Sequence, residues 1–486
     1  MFSNYKAAFT DKICAGRDQI AEFWDAVKDT PQFEGHPVQG RTGYRRRCIP
    51  IRLHGDGVPV TGVRKSWAKS ADVYSWSSMF ASGNTISFNY YIWACFKSVQ
   101  SKAFNRHTKR SFWKKLVWSL TWAWIGLWPD KDWDGAAWVN PVDINRALTL
   151  LAGSRSDFFF IVVWALLGDL DYLRDEYHLQ NYNSNDPCCK CPANNVMGGM
   201  SVNEFRPGHS QWIDRLYTKA QWATSEYNLH VIFTIPGVTL LSVFPDYLHC
   251  KHLGTDAYFF GSVLFVLCFY MLPGTPEQNI EIVWKKIKEF YTPGSKLTRY
   301  TNLRLSMFCS PTEPEMRMPF LKGRSIEIRD LGPVLLEAFR YFMMFSCDEV
   351  QPLQKQQIEA ALKYSVQMDS ILDEHRRAIR LPAPAYQSFR DAGFNYMLLF
   401  NALGTHYAEH GKKLFNVTIK AHYVIHCVLD AEHLNPRLSW CYAGEDMMFR
   451  VRRLLATCTF NESPSNSIRK FVQKYVVGVH LLHVKL

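Results

Sequence analysis

The chain has 486 residues, 47% of them hydrophobic, enough for a sizeable buried core, which excludes a disordered chain. Its 56 Lys and Arg against 44 Asp and Glu leave a formal charge of +12, a balance that favours polyanionic partners such as nucleic acid. Thirteen cysteines without a regular framework, behind an N-terminus that lacks the apolar core of a signal peptide, exclude a disulfide-built secreted domain and predict a reducing compartment.

In chain order, the first clear element is "IPIRLHGDGVPV" (49–60), whose alternation predicts a strand. It carries Asp56 between two glycines. That triplet reads either as a turn or as an acid whose flanking glycines let a phosphate or a metal-bound water approach. The Ser- and aromatic-rich stretch 66–96, broken by "SGN", predicts two more strands. "VDINRALTLL" (142–151) has the period of an amphipathic helix, and "DFFFIVVWALLGD" (157–169) that of a strand covered on both faces and ending in Gly-Asp. "LDYLRDEYHLQNY" then reads as helix and "NSNDPCCKCPANN" as a polar loop bearing cysteines.

Helical spacing dominates from about 250 to 403, with Pro-rich breaks at 311–319 and 382–384. A late helix, "AGEDMMFRVRRLLATCTF", carries Glu445. No period of a repeat protein is present. The apolar runs "FFFIVVWALLG" and "AYFFGSVLFVLCFYMLP" fall short of the ~20 residues of a membrane span, so both are expected in a buried core.

An acid after one strand (Asp56), an acid after a buried strand (Asp169) and an acid on a late helix (Glu445) suit two-metal phosphoryl transfer, in which separated carboxylates hold two hard cations. The blocks "IPIRLHGDGVPV", "WALLGDLDYLRDEYHLQNYNSNDPCCKCPAN", "VFPDYLHCKHLGTDAYFFGSVL", "LFNVTIKAHYVIHC" and "LSWCYAGEDMMFRVRRL" resemble, in order, those of DDE/D transposases of the Plavaka and Kyakuja/Dileera/Zisupton kind. The resemblance runs from about Cys48 to Cys458. It implies an α/β, RNase H-like core with a mixed five-stranded sheet, interrupted by a large helical insertion before the third acid.

It further implies that Asp56, Asp169 and Glu445 ligate two Mg²⁺ or Mn²⁺ ions for cleavage and strand transfer at transposon ends. Asp171 competes with Asp169, and Asp446 is an alternate to Glu445 because Asn-Gly does not follow the acid. Double-stranded DNA as partner, a homo-oligomeric active complex, a nuclear location and no membrane association follow from the same resemblance. The expected layout is an N-terminal helical segment (1–45), a first core part (46–180), a Cys-bearing loop region (181–245), a helical insertion (246–410) and a last core part (411–486).

Accessory candidates surround these acids. Asp246 and His249 stand three apart, as the Cys/Asp-x-x-His element of such transposases does, and share a helix face; a helix cap is the bland reading. His422 and His426 lie four apart behind Lys420, a face for metal, phosphate or packing. Cys188 and Cys191 form one Cys-x-x-Cys, half of a structural zinc site, with His209 a candidate partner. Basic groups interleaved with aromatics at 41–48 (Arg45, Arg46, Arg47), 105–115 and 449–455 (Arg450, Arg453) suit DNA phosphates and unpaired bases. Upstream of Cys48 no Cys/His signature of a DNA-binding zinc domain stands, so a decayed or truncated copy, or one relying on another polypeptide for end recognition, is expected. Two further readings are a catalytically inactive DNA-binding derivative and, less favoured, a membrane-associated protein built around 257–273.

Overall fold

The alternating segment after Arg47 forms β1 (Cys48–Pro59), of which the first eight residues are buried. In the computed structural model, residues 6–60, 68–81, 84–101, 107–225, 227–291, 297–310, 312–345 and 347–484 are described. Ser82 and Gly83 of the expected turn, and Asn105 and Arg106 of the expected basic group, lie outside them. The chain divides into two units, one of Met1–Asn181, Tyr217–Phe244 and Leu438–Leu486, the other of Tyr182–Leu216 and Pro245–Arg437. The N-terminal 45 residues thus belong with the first core part, and the segment 411–486 is split at Arg437.

In the first unit β2 (Ser70–Ser78) pairs antiparallel with β1, and β3 (Tyr90–Phe96) antiparallel with β2. A separate two-stranded sheet joins β4 (Gly153–Ser154) to β5 (Asp157–Phe158). The apolar run forms β6 (Phe160–Leu167), parallel to β1, giving a mixed sheet of order β3-β2-β1-β6. The fold class is mixed α/β with a large helical portion, as expected.

Four strands stand where five were expected. Beyond β6 one parallel bridge, Leu166 to Val243, occupies the fifth place, with the Phe244 N–H donating to the Leu166 carbonyl at 3.3 Å. A 3₁₀ turn at Leu240–Ser242 precedes the bridge and Pro245, which has no N–H, follows it, so the ladder cannot extend.

The expected helix at 142–151 is also shorter, Pro141–Arg146. Leu148 adopts φ +59°, and residues 148–150 pair back onto 127–128 through Leu148 N–H to Trp128 O (2.9 Å) and Trp128 N–H to Thr149 O (2.8 Å). Helical periodicity in the sequence is overridden there by backbone pairing.

One face of the sheet is covered by the helix Tyr442–Ala456. Its Met447, Met448, Val451 and Leu455 form a core with Val58, Val73, Ala94 and Phe96. On the opposite face Tyr74 packs against Phe112 and Trp113 of the helix His107–Ile125, with ring centroids 4.5 and 5.7 Å away. Covered on both sides, β1 tolerates Arg52 in its middle because Nε donates to Ser77 Oγ (2.7 Å) and Nη1 to the Leu438 carbonyl (2.6 Å).

The second unit holds the helices of the expected helical block, Leu248–Met271, Pro276–Phe290, Ser325–Phe342, Pro352–Glu374 and Ala383–Glu409, together with Ile419–Asp430, which was expected in the last core part. Starts follow local chemistry; Thr275 and Gln278 close a capping box around Pro276 in the first turn. Among the described residues one helix, Leu248–Met271, is long and apolar enough to cross a membrane, and 78% of its apolar window is buried inside the protein.

That helix carries a buried ion network. Lys251 Nζ lies 2.8 Å from both Asp256 Oδ2 and Asp369 Oδ2 and 3.0 Å from Ser365 Oγ. Burial alone would push the Asp369 carboxyl up, but Lys251 and His252 outweigh it and hold the group well below the carboxylate range. We expect Asp369→Ala to destabilise the protein by about 3–5 kcal/mol, because it leaves the Lys251 charge buried with half its compensation. Urea denaturation measures this, and a loss near zero would show that the network carries no net stability.

Candidate metal centres

Two sets of side chains bear on metal chemistry, one in each unit. In the first, the parallel register of β1 and β6 runs from Cys48 opposite Phe160 to His54 opposite Leu167. Each strand then continues into Gly-Asp: Gly55-Asp56 in one, Gly168-Asp169 in the other. The ladder, which carries a bulge between Ile51 and Arg52, ends at that last pair; Asp56 follows two residues on within β1, and Asp169 two residues on at the N-cap of the next helix.

Alternation places Asp56 on the same face as His54 and its pair partner Val73, the face that the Glu445 helix covers. The helix comes in close there. A Cβ at Gly444 would stand 2.6 Å from the His54 ring, so glycine beside Glu445 is what admits the first helical turn to the sheet. Asp169 caps the helix Leu170–Tyr177, its Oδ1 accepting from the Tyr172 N–H at 2.6 Å. Asp56, Asp169 and Glu445 are each partly exposed. Asp171 is exposed and paired with Arg174 at 3.0 Å, and Asp446 with Arg450 at 2.8 Å.

Among the described residues, two groups of three or more His, Cys, Asp or Glu place their ligand atoms within 4.8 Å of one another, and the three acids are not one of them. The first group is Cys188, Cys191, His422 and His426, all buried, in the second unit. Cys188 Sγ lies 3.2 Å from His426 Nε2, Cys191 Sγ 3.3 Å from His422 Nε2, and the two Nε2 atoms 3.1 Å apart. A tetrahedral zinc with Zn–S of about 2.3 Å and Zn–N of about 2.05 Å sets S···N at about 3.6 Å and N···N at about 3.3 Å. These three separations are slightly shorter than the edges of such a tetrahedron, and all four ligand atoms lie within 4.8 Å of one another.

The surroundings orient each ligand. His422 Nδ1 is 3.2 Å from the Val202 carbonyl, a contact that puts the proton on Nδ1 and leaves Nε2 its lone pair. The Lys190 N–H donates to Cys188 Sγ at 3.3 Å. Trp212 packs on both imidazoles, with centroids 4.3 and 5.2 Å away. The Tyr423 hydroxyl holds the cysteine loop through the Pro187 carbonyl at 3.2 Å. Burial pushes the Cys188 thiol up and the His426 imidazole down from their ordinary values. Both shifts favour neutral groups, and a divalent cation reverses the balance at sulfur. Four buried groups that could ligate are the set of a structural zinc site, in which no position is left open.

The second group, His252, Asp256 and Asp369, is the network around Lys251. The Lys251 ammonium already lies against both carboxylates, so that site is filled by a cation of the chain itself.

The remaining candidates take local partners. His249 Nδ1 and Asp246 Oδ2 meet at 2.5 Å, and Asp246 also accepts from the Leu248 and His249 N–H groups as a helix cap does. Lys420 donates to the Leu253 carbonyl at 3.2 Å. Arg45 pairs with Asp25, Arg47 donates to the Ser156 carbonyl at 2.6 Å, and Arg46 is exposed. Arg453 lies over the Phe449 ring. His209 is exposed and stands outside the Cys/His group, which corrects its candidacy as a zinc ligand.

Sequence reasoning reached both halves of the zinc-type centre without joining them. A Cys-x-x-Cys lacking two ligands and a His-x-x-x-His lacking two are complementary, and that was the available signal. No protein-family model and no curated protein matches this chain.

The purified protein should contain about one zinc per chain, as four enclosed ligands require. Elemental analysis should show the metal lost in Cys191→Ser and His422→Ala and retained in His209→Ala. Acidification should release it, because protons compete at the thiolates and imidazoles.

Proposed function

We propose that this chain is the catalytic region of a DDE-type transposase, cleaving and joining phosphodiester bonds at the ends of a DNA element. The observation that carries the reading is that the glycines before Asp56 and Asp169, one in β1 and one just past its parallel neighbour β6, both pack on the Tyr172 ring, while the Glu445 helix covers the opposite face of the sheet. Asp56, Asp169 and Glu445 are partly exposed, and three carboxylates would form an all-oxygen donor set that suits Mg²⁺ or Mn²⁺. The sheet order, an antiparallel β1-β2-β3 meander with β6 parallel to β1 and one more parallel bridge outside it, supports an RNase H-like core.

Asp56, Asp169 and Glu445 would hold the ions. When bound, two such ions activate the attacking oxygen and stabilise the leaving one. The chain's own residues supply position. The Tyr172 N–H orients Asp169, and the Gly444 contact seats the turn that carries Glu445. On the same helix Arg450 and Arg453 offer positive charge to DNA phosphates. In the second unit the Cys/His centre would hold zinc as a fold element.

A second reading, a DNA-binding derivative that keeps the fold without the reaction, draws on the three carboxylates forming no cluster within 4.8 Å.

Manganese-dependent nicking of DNA carrying the element's ends should fall at least about 100-fold in Asp56→Ala, Asp169→Ala and Glu445→Ala, with DNA binding kept within about twofold. Unchanged nicking in these variants rejects the assignment. Salt-sensitive binding by a wild-type protein that never nicks favours the second reading.

A further inference from the structure

We propose that Tyr172 is a positioning residue whose ring sets the spacing between the backbones that carry Asp56 and Asp169. The inference rests on the metal-binding reading of those two acids and adds a residue to it.

The ring fills the space that two glycines leave open. A Cβ at Gly55 would stand 2.2 Å from Tyr172 Oη, and a Cβ at Gly168 2.2 Å from its Cδ1. Neither glycine has a positive φ, so glycine is required at both places by space and not by backbone conformation. The hydroxyl end of the ring lies against the residue before the first acid and its base against the residue before the second. Two strand ends therefore share one spacer, on the face opposite to the one that Asp56 presents.

The same residue also fixes the second carboxylate, through its N–H to Asp169 Oδ1. Side chain and backbone of a single tyrosine thus act on both acids.

The spacer is backed by a rigid aromatic layer. Tyr172 packs against Tyr74 (6.1 Å) and Tyr177 (5.6 Å), with 3.4 Å between the Tyr172 and Tyr177 hydroxyl oxygens. Tyr74 in turn lies on Phe112 (4.5 Å), which stacks on Trp93 (4.5 Å). A ring held this way cannot yield without moving one of the glycine backbones. The two acids are then held apart by a fixed distance instead of by strand pairing alone, which ends at His54 and Leu167.

The test uses the full chain with its zinc retained and measures Mn²⁺ affinity by EPR titration, Mn²⁺-dependent nicking, and the melting temperature. Tyr172→Phe keeps the ring and should stay within about twofold of wild type in Mn²⁺ affinity, whereas Tyr172→Leu should weaken it about tenfold, the size expected for an outer residue that orients metal ligands. In nicking, Tyr172→Leu should raise the Mn²⁺ concentration for half-maximal rate, a shift that a smaller folded fraction, which lowers kcat alone, does not produce. Wild-type Mn²⁺ affinity in Tyr172→Leu overturns the inference.

The underlying functional reading fails separately, if Asp56→Ala leaves Mn²⁺ binding unchanged. In that event thermal stability decides on the spacer. Gly55→Ala should lower the melting temperature and Tyr172→Leu in the same chain should restore it, while a double variant no more stable than Gly55→Ala overturns the shared-ring geometry.

Discussion

The parallel pairing of β1 with β6, bulged between Ile51 and Arg52, is the constraint on which the first unit depends. Parallel strands cannot be joined by a tight turn, so the chain leaves the sheet after β3, runs through the helix His107–Ile125 and returns with a segment apolar enough to lie between two layers. That return brings Gly168, like Gly55, against the Tyr172 ring. The third acid arrives by another route. Arg52, buried in β1, holds the Leu438 carbonyl, and from there the chain passes into the helix whose Gly444 meets His54. A buried guanidinium is costly unless its donors are used, so the tie that anchors this approach also makes Arg52 tolerable in the sheet.

The second unit solves a different problem. Its long helices bury an apolar core, yet the loop carrying Cys188 and Cys191 has little regular structure of its own. The Cys/His centre fastens it across sequence separations of 238 and 231 residues. Closing so long a loop costs only slightly more entropy than closing a short one. Packing of Trp212 on both imidazoles and the Lys190–Asp430 pair at 2.7 Å hold the same loop from its flanks. The helix Leu248–Met271 shows why apolar length alone does not define a membrane segment: Lys251, His252 and Asp256 sit within it, each satisfied by a partner from the block.

Much of the fold was legible where one physical signal dominated. Alternation marked β1, a continuous apolar run marked β6, and caps with prolines marked the helices of the second unit. The signal failed where distant backbone competed with local preference. The helical period at 142–151 gave way to pairing with 127–128, and the fifth strand shrank to a bridge because Pro245 supplies no donor. The acids were legible as residue types following strands. Tyr172 was not, because a tyrosine three residues after an acid carries no message until both glycines are seen against its ring.

The sequence by itself determined which residue types stand in or beside which elements: Gly-Asp within one strand and just past another, an acid in the first turn of a late helix, two cysteines three apart and two histidines four apart. These are short-range facts, set by periodicity, capping and spacing along the chain. Only the tertiary structure decided that the cysteines belong with the histidines, that the glycines before Asp56 and Asp169 share the Tyr172 ring, and that His209 stands outside the Cys/His group. Those choices depend on contacts between residues hundreds of positions apart, whose free energy comes from the packing of whole elements and leaves no trace in any local window.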